Sequence, residues 1–340
     1  TDKGFKKWVD ITKNDKLAAF EPKTGKLKDY EVPLDLTKEY VNEDLLVFET
    51  PDVSLKVTKG HSLYASITNS DKKRKNPKFE LIVADKIIKT KNGVAEKEFY
   101  KKPMRMKKCS FGSCLTSKEE IALFKLYGFF VGDGYASTKN SINFHLKKER
   151  KIEYLRDISN KSGFKLKENK NDVFVITDEG LGEKFRNLFY NEKGEKTFPS
   201  SFFYESENNI LAFILGLLNS DGSKKRNTYV YDTTSEELAN KLQAIAAANG
   251  VAMSLNSNGY INRLNINSRR NTPRLNDTLQ NSYSLEHYKG FVYCATVSTG
   301  LLLVRRNNKT LLCGNTSPFR HVMAQFEFNA PLMVARQHWK

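Results

Sequence analysis

The chain has 340 residues, with 56 Lys plus Arg against 39 Asp plus Glu, a formal net charge of +17. That length accommodates two or three domain cores, and the cationic excess points to a polyanionic partner, nucleic acid foremost, because cationic side chains release condensed counterions on binding it. Four cysteines (Cys109, Cys114, Cys294 and Cys313) are too few for a disulfide framework and lack zinc-site spacing, and the longest apolar stretch, Ile210–Leu218, is too short for a bilayer, so reduced thiols, a cytoplasmic location and no membrane partner are expected.

Residues 1–100 are β-rich. Strands are predicted at Lys16–Phe20, Lys26–Val32, Leu45–Glu49, Val53–Val57, His61–Ile67 and Phe79–Ile88, with a turn at Pro22–Gly25 and a basic loop at Lys72–Lys75. The opening TDKGFKKWVD has no Met and reads as a fragment whose start lies upstream.

The texture changes at Ser117-Lys-Glu-Glu120, a capping box ahead of the apolar helix Ile121–Val131. That helix ends in Gly132-Asp133-Gly134. A strand at Ser141–Leu146, a charged helix at Lys148–Lys161, strands at Phe164–Lys167 and Val173–Thr177 and a helix at Leu181–Tyr190 follow. The order then recurs: an apolar helix at Asn208–Asn219 ending in Ser220-Asp221-Gly222, a strand at Thr228–Asp232, a helix at Ser235–Asn249, and strands at Met253–Asn256 and Ile261–Asn267. Past Glu286 the β texture returns, with strands at Gly290–Val297, Leu301–Val304 and Thr310–Cys313 and a turn at Asn307-Asn308. The pattern is one β domain split by an α/β insertion.

The two helix ends carry chemistry. Gly128 and Gly132 in the first copy, and Gly216 and Ser220 in the second, are four positions apart and share a helical face, where small residues let two backbones approach. Packing through those faces brings Asp133 and Asp221 together, and side-by-side carboxylates call for a hard divalent cation such as Mg²⁺. Such a cation can activate water and stabilise the leaving oxygen of a phosphodiester.

Residues 117–285 resemble the LAGLIDADG homing endonucleases on these two motifs, Leu126–Gly134 and Ile214–Gly222. The resemblance implies two αββαββα halves about a pseudo-twofold axis, sheets lying in the major groove of double-stranded DNA, a monomeric enzyme, and Asp133 and Asp221 as metal-binding catalytic residues. It also implies basic residues near the site, with Lys147 and Lys224 as candidates. Val131 and Asn219 stand where the named motif has its first Asp.

The flanks resemble an intein of the Hint type, a β-rich, horseshoe-like splicing domain made of residues 1–116 and 286–315, so the expected fold class is α+β. Val57-Thr58-Lys59-Gly60-His61 is similar to the intein T-x-x-H motif, in which Thr58 and His61 polarise an amide and His61 protonates the departing amine. Residues Val292–Thr316 resemble the paired C-terminal intein motifs. That resemblance implies cyclisation of Asn315, acyl transfer to the Thr316 hydroxyl, and a role for Cys294 as acid, base or transient nucleophile, with no cofactor. Gly314 replaces the usual penultimate His. The intein nucleophile would come from a further N-terminal segment, supplied in cis, or in trans as in a split intein.

The tail 316–340 resembles flavin-dependent thymidylate synthases in Ser317-Pro-Phe-Arg-His321 and Ala330–Gln337. The resemblance implies a flavin contact at Ser317, a nucleotide contact at Gln337, and FAD as cofactor of the complete host enzyme only. A LAGLIDADG protein that binds DNA without cutting it, or the host synthase itself, are the competing readings; a bacterial or phage-infected cell is the expected setting.

Overall fold

A computed structural model describes residues 1–67, 77–87, 104–110, 112, 115–225, 228–266, 271–275 and 283–315. The basic loop Lys72–Lys75, Cys114, Thr316, Ser317 and Gln337 lie outside these residues.

The N-terminal segment forms β1 (Leu17–Phe20), β2 (Leu27–Glu31), β3 (Asp35–Glu49), β4 (Ser54–Val57), β5 (Ser62–Ile67), β6 (Glu80–Val83) and β7 (Met104–Met106). The β1–β2 reversal is made at Pro22–Gly25, where Gly25 takes φ +68° and its N–H donates to the Glu21 carbonyl at 2.6 Å. A positive φ of this size suits glycine because no Cβ meets the backbone.

The middle of the chain holds two runs whose first six elements follow the same order. The first is α1 (Lys118–Asp133), β8 (Gly134–Ala136), β9 (Ser141–His145), α2 (Glu149–Lys161), β10 (Leu166–Asn169), β11 (Val173–Thr177) and α3 (Leu181–Phe189). The second is α4 (Glu207–Ser220), β12 (Ser223–Lys225), β13 (Thr228–Thr233), α5 (Glu236–Ala248), β14 (Met253–Ser257) and β15 (Asn262–Ile266). Their antiparallel sheets have matching orders, β8-β9-β11-β10 and β12-β13-β15-β14. Each run has one strand more than the repeat read from the sequence. The extra strands, β8 and β12, are three residues long, too short to show a two-residue alternation.

The C-terminal segment supplies β16 (Tyr283–Thr296), β17 (Leu301–Arg306) and β18 (Lys309–Gly314). β17 and β18 form a hairpin whose turn residues Asn307 and Asn308 have φ 47° and 58°, the left-handed pair that matches strand twist in a two-residue loop. β17 pairs with β1 and β18 pairs with β5, Cys313 facing Leu63, so strands from both flanks of the α/β region share one sheet ordered β2-β1-β17-β18-β5-β6, with β7 also on β5. The ribbon of β16 with β3 runs in unbroken register from Tyr283–Phe48 to Thr296–Asp35. Both strands are much longer than the expected Leu45–Glu49 and Gly290–Val297, and β16 starts upstream of Glu286. Their outer halves are largely exposed, so backbone pairing holds them without the buried alternation that marks a strand in sequence.

The main apolar core surrounds α1 and α4 with Phe129, Phe130, Phe144, Phe185, Phe198 and Phe213 among its fully buried side chains. A second core under β3, β4 and β5 includes Leu46, Phe48, Leu63 and Met106. Among the described residues no helix is long and apolar enough to cross a membrane, and Cys109 and Cys313 are free thiols. Taken as a whole the fold is mixed α and β, with the α-helices confined to residues 118–248.

Candidate metal centre and a second cleft

Both helices are started by serine. The Ser117 hydroxyl accepts from the Glu120 N–H at 3.1 Å, and the Ser206 hydroxyl accepts from the Asn209 N–H at 3.1 Å, each satisfying a donor that the first helical turn leaves free. The buried Asn209 of α4 donates across to the Glu120 carboxylate of α1 at 2.8 Å and to Glu205 at 3.1 Å. This link fixes the axial level of one helix against the other.

The helices touch through the predicted small residues. A Cβ on Gly128 would run into the Phe213 carbonyl, one on Gly216 into the Lys125 carbonyl, and one on Gly132 into the Ser220 side chain. Contact this close carries Asp133, the last residue of α1, and Asp221, which caps α4, to the same end of the pair.

There both carboxylates meet Lys151, from the first turn of α2. Its ammonium donates to Asp133 Oδ1 at 2.8 Å and Oδ2 at 2.7 Å, and to Asp221 Oδ1 at 3.3 Å. The Lys151 and Asp133 side chains are only 12% and 14% exposed, against 47% for Asp221. Burial raises the Asp133 pKa above the ordinary carboxylate value; the Lys151 hydrogen bond opposes the shift, and the neighbouring Asp221 charge adds to it. Tyr231, buried beside the pair, is likewise shifted upward by burial and then by the Asp221 charge.

A cleft of about 580 Å³ opens at this end, lined by Lys148, Arg150, Lys151, Asp221, Lys224 and Tyr229 among others. Lys224 is therefore at the site, its ammonium 5.4 Å from the Tyr229 ring centroid. Lys147 is exposed and does not line the cleft. Sequence reasoning missed Lys151: one basic residue in a run that also holds Lys147, Lys148 and Arg150 has no mark of its own until the helix phase aims it.

Asp133 and Asp221 are hard oxygen donors that already surround a cation, the Lys151 ammonium, so their chemistry fits Mg²⁺ or Ca²⁺. Among the described residues no group of three or more His, Cys, Asp and Glu could hold a metal ion, so further ligands would be water, main-chain carbonyl or phosphate oxygens.

A second, half-buried lysine supports α1 from outside the cleft. Lys196 donates to the Phe130 carbonyl at 3.0 Å and the Gly134 carbonyl at 2.7 Å, and sits 3.7 Å from the Phe130 ring centroid. Burial pushes its pKa down to about 7, while the carbonyls and ring favour the ammonium and act the other way.

The β domain has its own cleft, about 510 Å³, lined by Thr58, His61, Cys294 and Cys313 together with Trp8 and Tyr293 among others. The T-x-x-H segment closes as a turn, the His61 N–H donating to the Thr58 carbonyl at 3.1 Å. Burial lowers the His61 pKa to about 4, and it raises Cys313 to about 12. Asn315 is buried at the end of β18, its N–H donating to the Gly300 carbonyl at 3.0 Å. With the amide oriented by its neighbours, its Nδ2 donates to Gly300 O at 3.1 Å and its Oδ1 accepts from the Val297 N–H at 3.0 Å. Thr58, His61 and Cys294 thus line one cleft, whereas Asn315 does not line it.

No curated protein matches the chain. Solved structures similar to it include mesophilic variants of the homing endonuclease I-DmoI, at 15% identity and TM-score 0.34 over 45% of this chain and 92% of that one. I-DmoI in complex with DNA and Ca is similar at 14% identity and TM-score 0.34, over 45% and 86% of the two chains. Full-length WhiA from Thermatoga maritima is similar at 16% identity and TM-score 0.31, over 46% and 53%. The family description "LAGLIDADG-like domain" matches residues 208–280, the segment from α4 through β15 that holds Asp221. The chain therefore carries a LAGLIDADG-like domain.

Proposed function

We propose that residues 117–285 are a LAGLIDADG homing endonuclease that cuts double-stranded DNA at a specific site, inserted in a protein-splicing element. The observation that carries the nuclease reading is the meeting of Asp133 and Asp221 on a single ammonium at the end of two helices in backbone contact. When bound, a divalent cation supplies an activated water and charge stabilisation for the leaving oxygen. Asp133 and Asp221 would hold it, and the buried helix pair fixes their separation before substrate arrives. Lys148, Arg150 and Lys224 give the cleft the positive charge that draws in a phosphodiester backbone.

The two four-stranded sheets would read DNA, in a pseudo-twofold arrangement. Each buries one set of alternating residues, such as Ile142, Phe144, Phe174 and Ile176, and turns others outward, such as Lys167, Tyr229 and Arg263. A surface of this kind suits the major groove, whose edges distinguish all four base pairs. Both halves lie in one chain, so the endonuclease acts as a monomer. The test is cleavage of plasmid DNA carrying the uninterrupted host sequence, with and without Mg²⁺. Metal-dependent double-strand cutting supports the proposal; specific binding without nicking by the intact chain favours a non-cutting DNA-binding protein.

A specific observation supports the splicing reading: strands from both flanks of the α/β region close one sheet, and Thr58, His61 and Cys294 line one cleft beside it, where β16 pairs with β3 next to β4. In this reading the Thr58–His61 turn polarises the upstream scissile amide, Cys294 serves as acid, base or transient nucleophile, and Asn315 cyclises to free the tail at Thr316. Residues 316–340 would then belong to a flavin-dependent thymidylate synthase, with Ser317 and Gln337 in its flavin and nucleotide sites and FAD bound only by the complete enzyme. Co-expression with a peptide supplying an intein N-terminal segment tests this: a spliced product by intact mass supports it, and a chain that never splices or releases its tail with any such segment counts against it.

A further inference from the structure

We propose that Lys151 is a positioning residue that holds the place of a divalent cation between Asp133 and Asp221 and yields it to a DNA phosphate, so that metal and DNA bind cooperatively. The inference rests on the endonuclease reading and adds a regulation of the same site.

The geometry is that of an occupied cation position. The three contacts of the Lys151 ammonium, 2.7 and 2.8 Å to Asp133 and 3.3 Å to Asp221, use its three N–H donors on both carboxylates at once. A hard divalent cation takes carboxylate oxygens at about 2.0–2.6 Å along the same lone pairs. The two cations cannot share those oxygens, and in a site this shielded from water their repulsion is weakly screened. Metal entry therefore requires the ammonium to leave.

The departing ammonium needs an anion. Lys151 stands on the first turn of α2 with a flexible aliphatic stem, at the edge of a cleft whose other side chains include the cationic Lys148, Arg150 and Lys224. A DNA phosphate drawn into that cleft offers the oxygens that the carboxylates give up. Without DNA, the swing would expose an uncompensated lysine beside three like charges, so the protein alone binds metal weakly. With DNA, one exchange satisfies both cations, which is a coupling free energy between two ligands.

The test is calorimetric titration of the full chain with Ca²⁺, alone and with sonicated duplex DNA, for wild type, Lys151→Met, Lys151→Gln and Asp133→Asn. We expect both neutral variants at Lys151 to bind Ca²⁺ about tenfold or more tighter than wild type without DNA. Added DNA should tighten Ca²⁺ binding to wild type and change it far less in the variants. Either neutral variant, if folded by its melting curve, is sufficient to decide. Wild-type Ca²⁺ affinity equal to or tighter than that of the folded variants overturns the role of Lys151 while leaving the endonuclease reading standing. Wild type that binds no Ca²⁺ even with DNA, and matches Asp133→Asn, overturns the endonuclease reading and this inference with it.

Discussion

Gly216 of α4 lies against the carbonyl oxygen of Lys125 in α1 with no space for a Cβ between them. The contact is reciprocal, since Gly128 meets the Phe213 carbonyl, and backbone on both sides leaves nothing flexible to give way. Gly216→Ala should therefore force the helices apart and destabilise the protein by roughly 1–3 kcal/mol, the range for overpacking a close-packed interior. Urea denaturation of the two proteins measures it; equal midpoints would mean that the helices do not meet by these faces.

Asp133 places function against stability. Its carboxyl has a folded-state pKa above the ordinary value because of burial. The stability it contributes is present below the unfolded value and is lost as pH rises through the folded one, so at neutral pH the ionised group is a burden. Asp133→Asn should melt at or above the wild-type temperature at pH 7 without metal, and abolish metal-dependent DNA cutting while keeping DNA affinity. A clear fall in melting temperature would show that the Lys151 ion pair outweighs the burial of Asp133.

His61 gives the opposite slope. Its pKa is lowered to about 4 by burial, below the ordinary value of 6.5, so the unfolded chain binds more protons between those values. Stability should rise with pH across that window and be lost as pH falls through it, by up to about 3 kcal/mol. Melting curves from pH 7 to pH 4 should lose this slope in His61→Gln, beyond any acid sensitivity the two proteins share. The same burial favours neutral His61 at pH 7, so the proposed splicing role would need the peptide entering the cleft to change its surroundings.

Asn315 is the remaining test of the splicing proposal. Asn315→Ala removes the only side chain that can cyclise at that junction, and the tail 316–340 should stay attached under conditions that release it from the parent. Intact-mass spectrometry reads this directly; tail release from Asn315→Ala would assign the cleavage to another residue.

Local spacing alone marked the two helices, the capping Ser117, the small-residue faces and the recurrence that pairs Asp133 with Asp221. It also marked the Thr58-x-x-His61 turn and the Asn307-Asn308 hairpin, where backbone conformation depends on a few adjacent residues. The remaining features lie between segments far apart in the chain, which meet only on folding. The long pairing of β3 with β16 is held by backbone hydrogen bonds, which do not depend on side-chain type and leave no periodic signature. Lys151 is one cation among several until α2 packs beside both helix ends, and Thr58, His61 and Cys294 share a cleft only because β16, which carries Cys294, pairs with β3 beside β4. Local composition sets which conformations each segment prefers; which charges then face one another is fixed by packing, and with it whether two carboxylates repel or grip a cation.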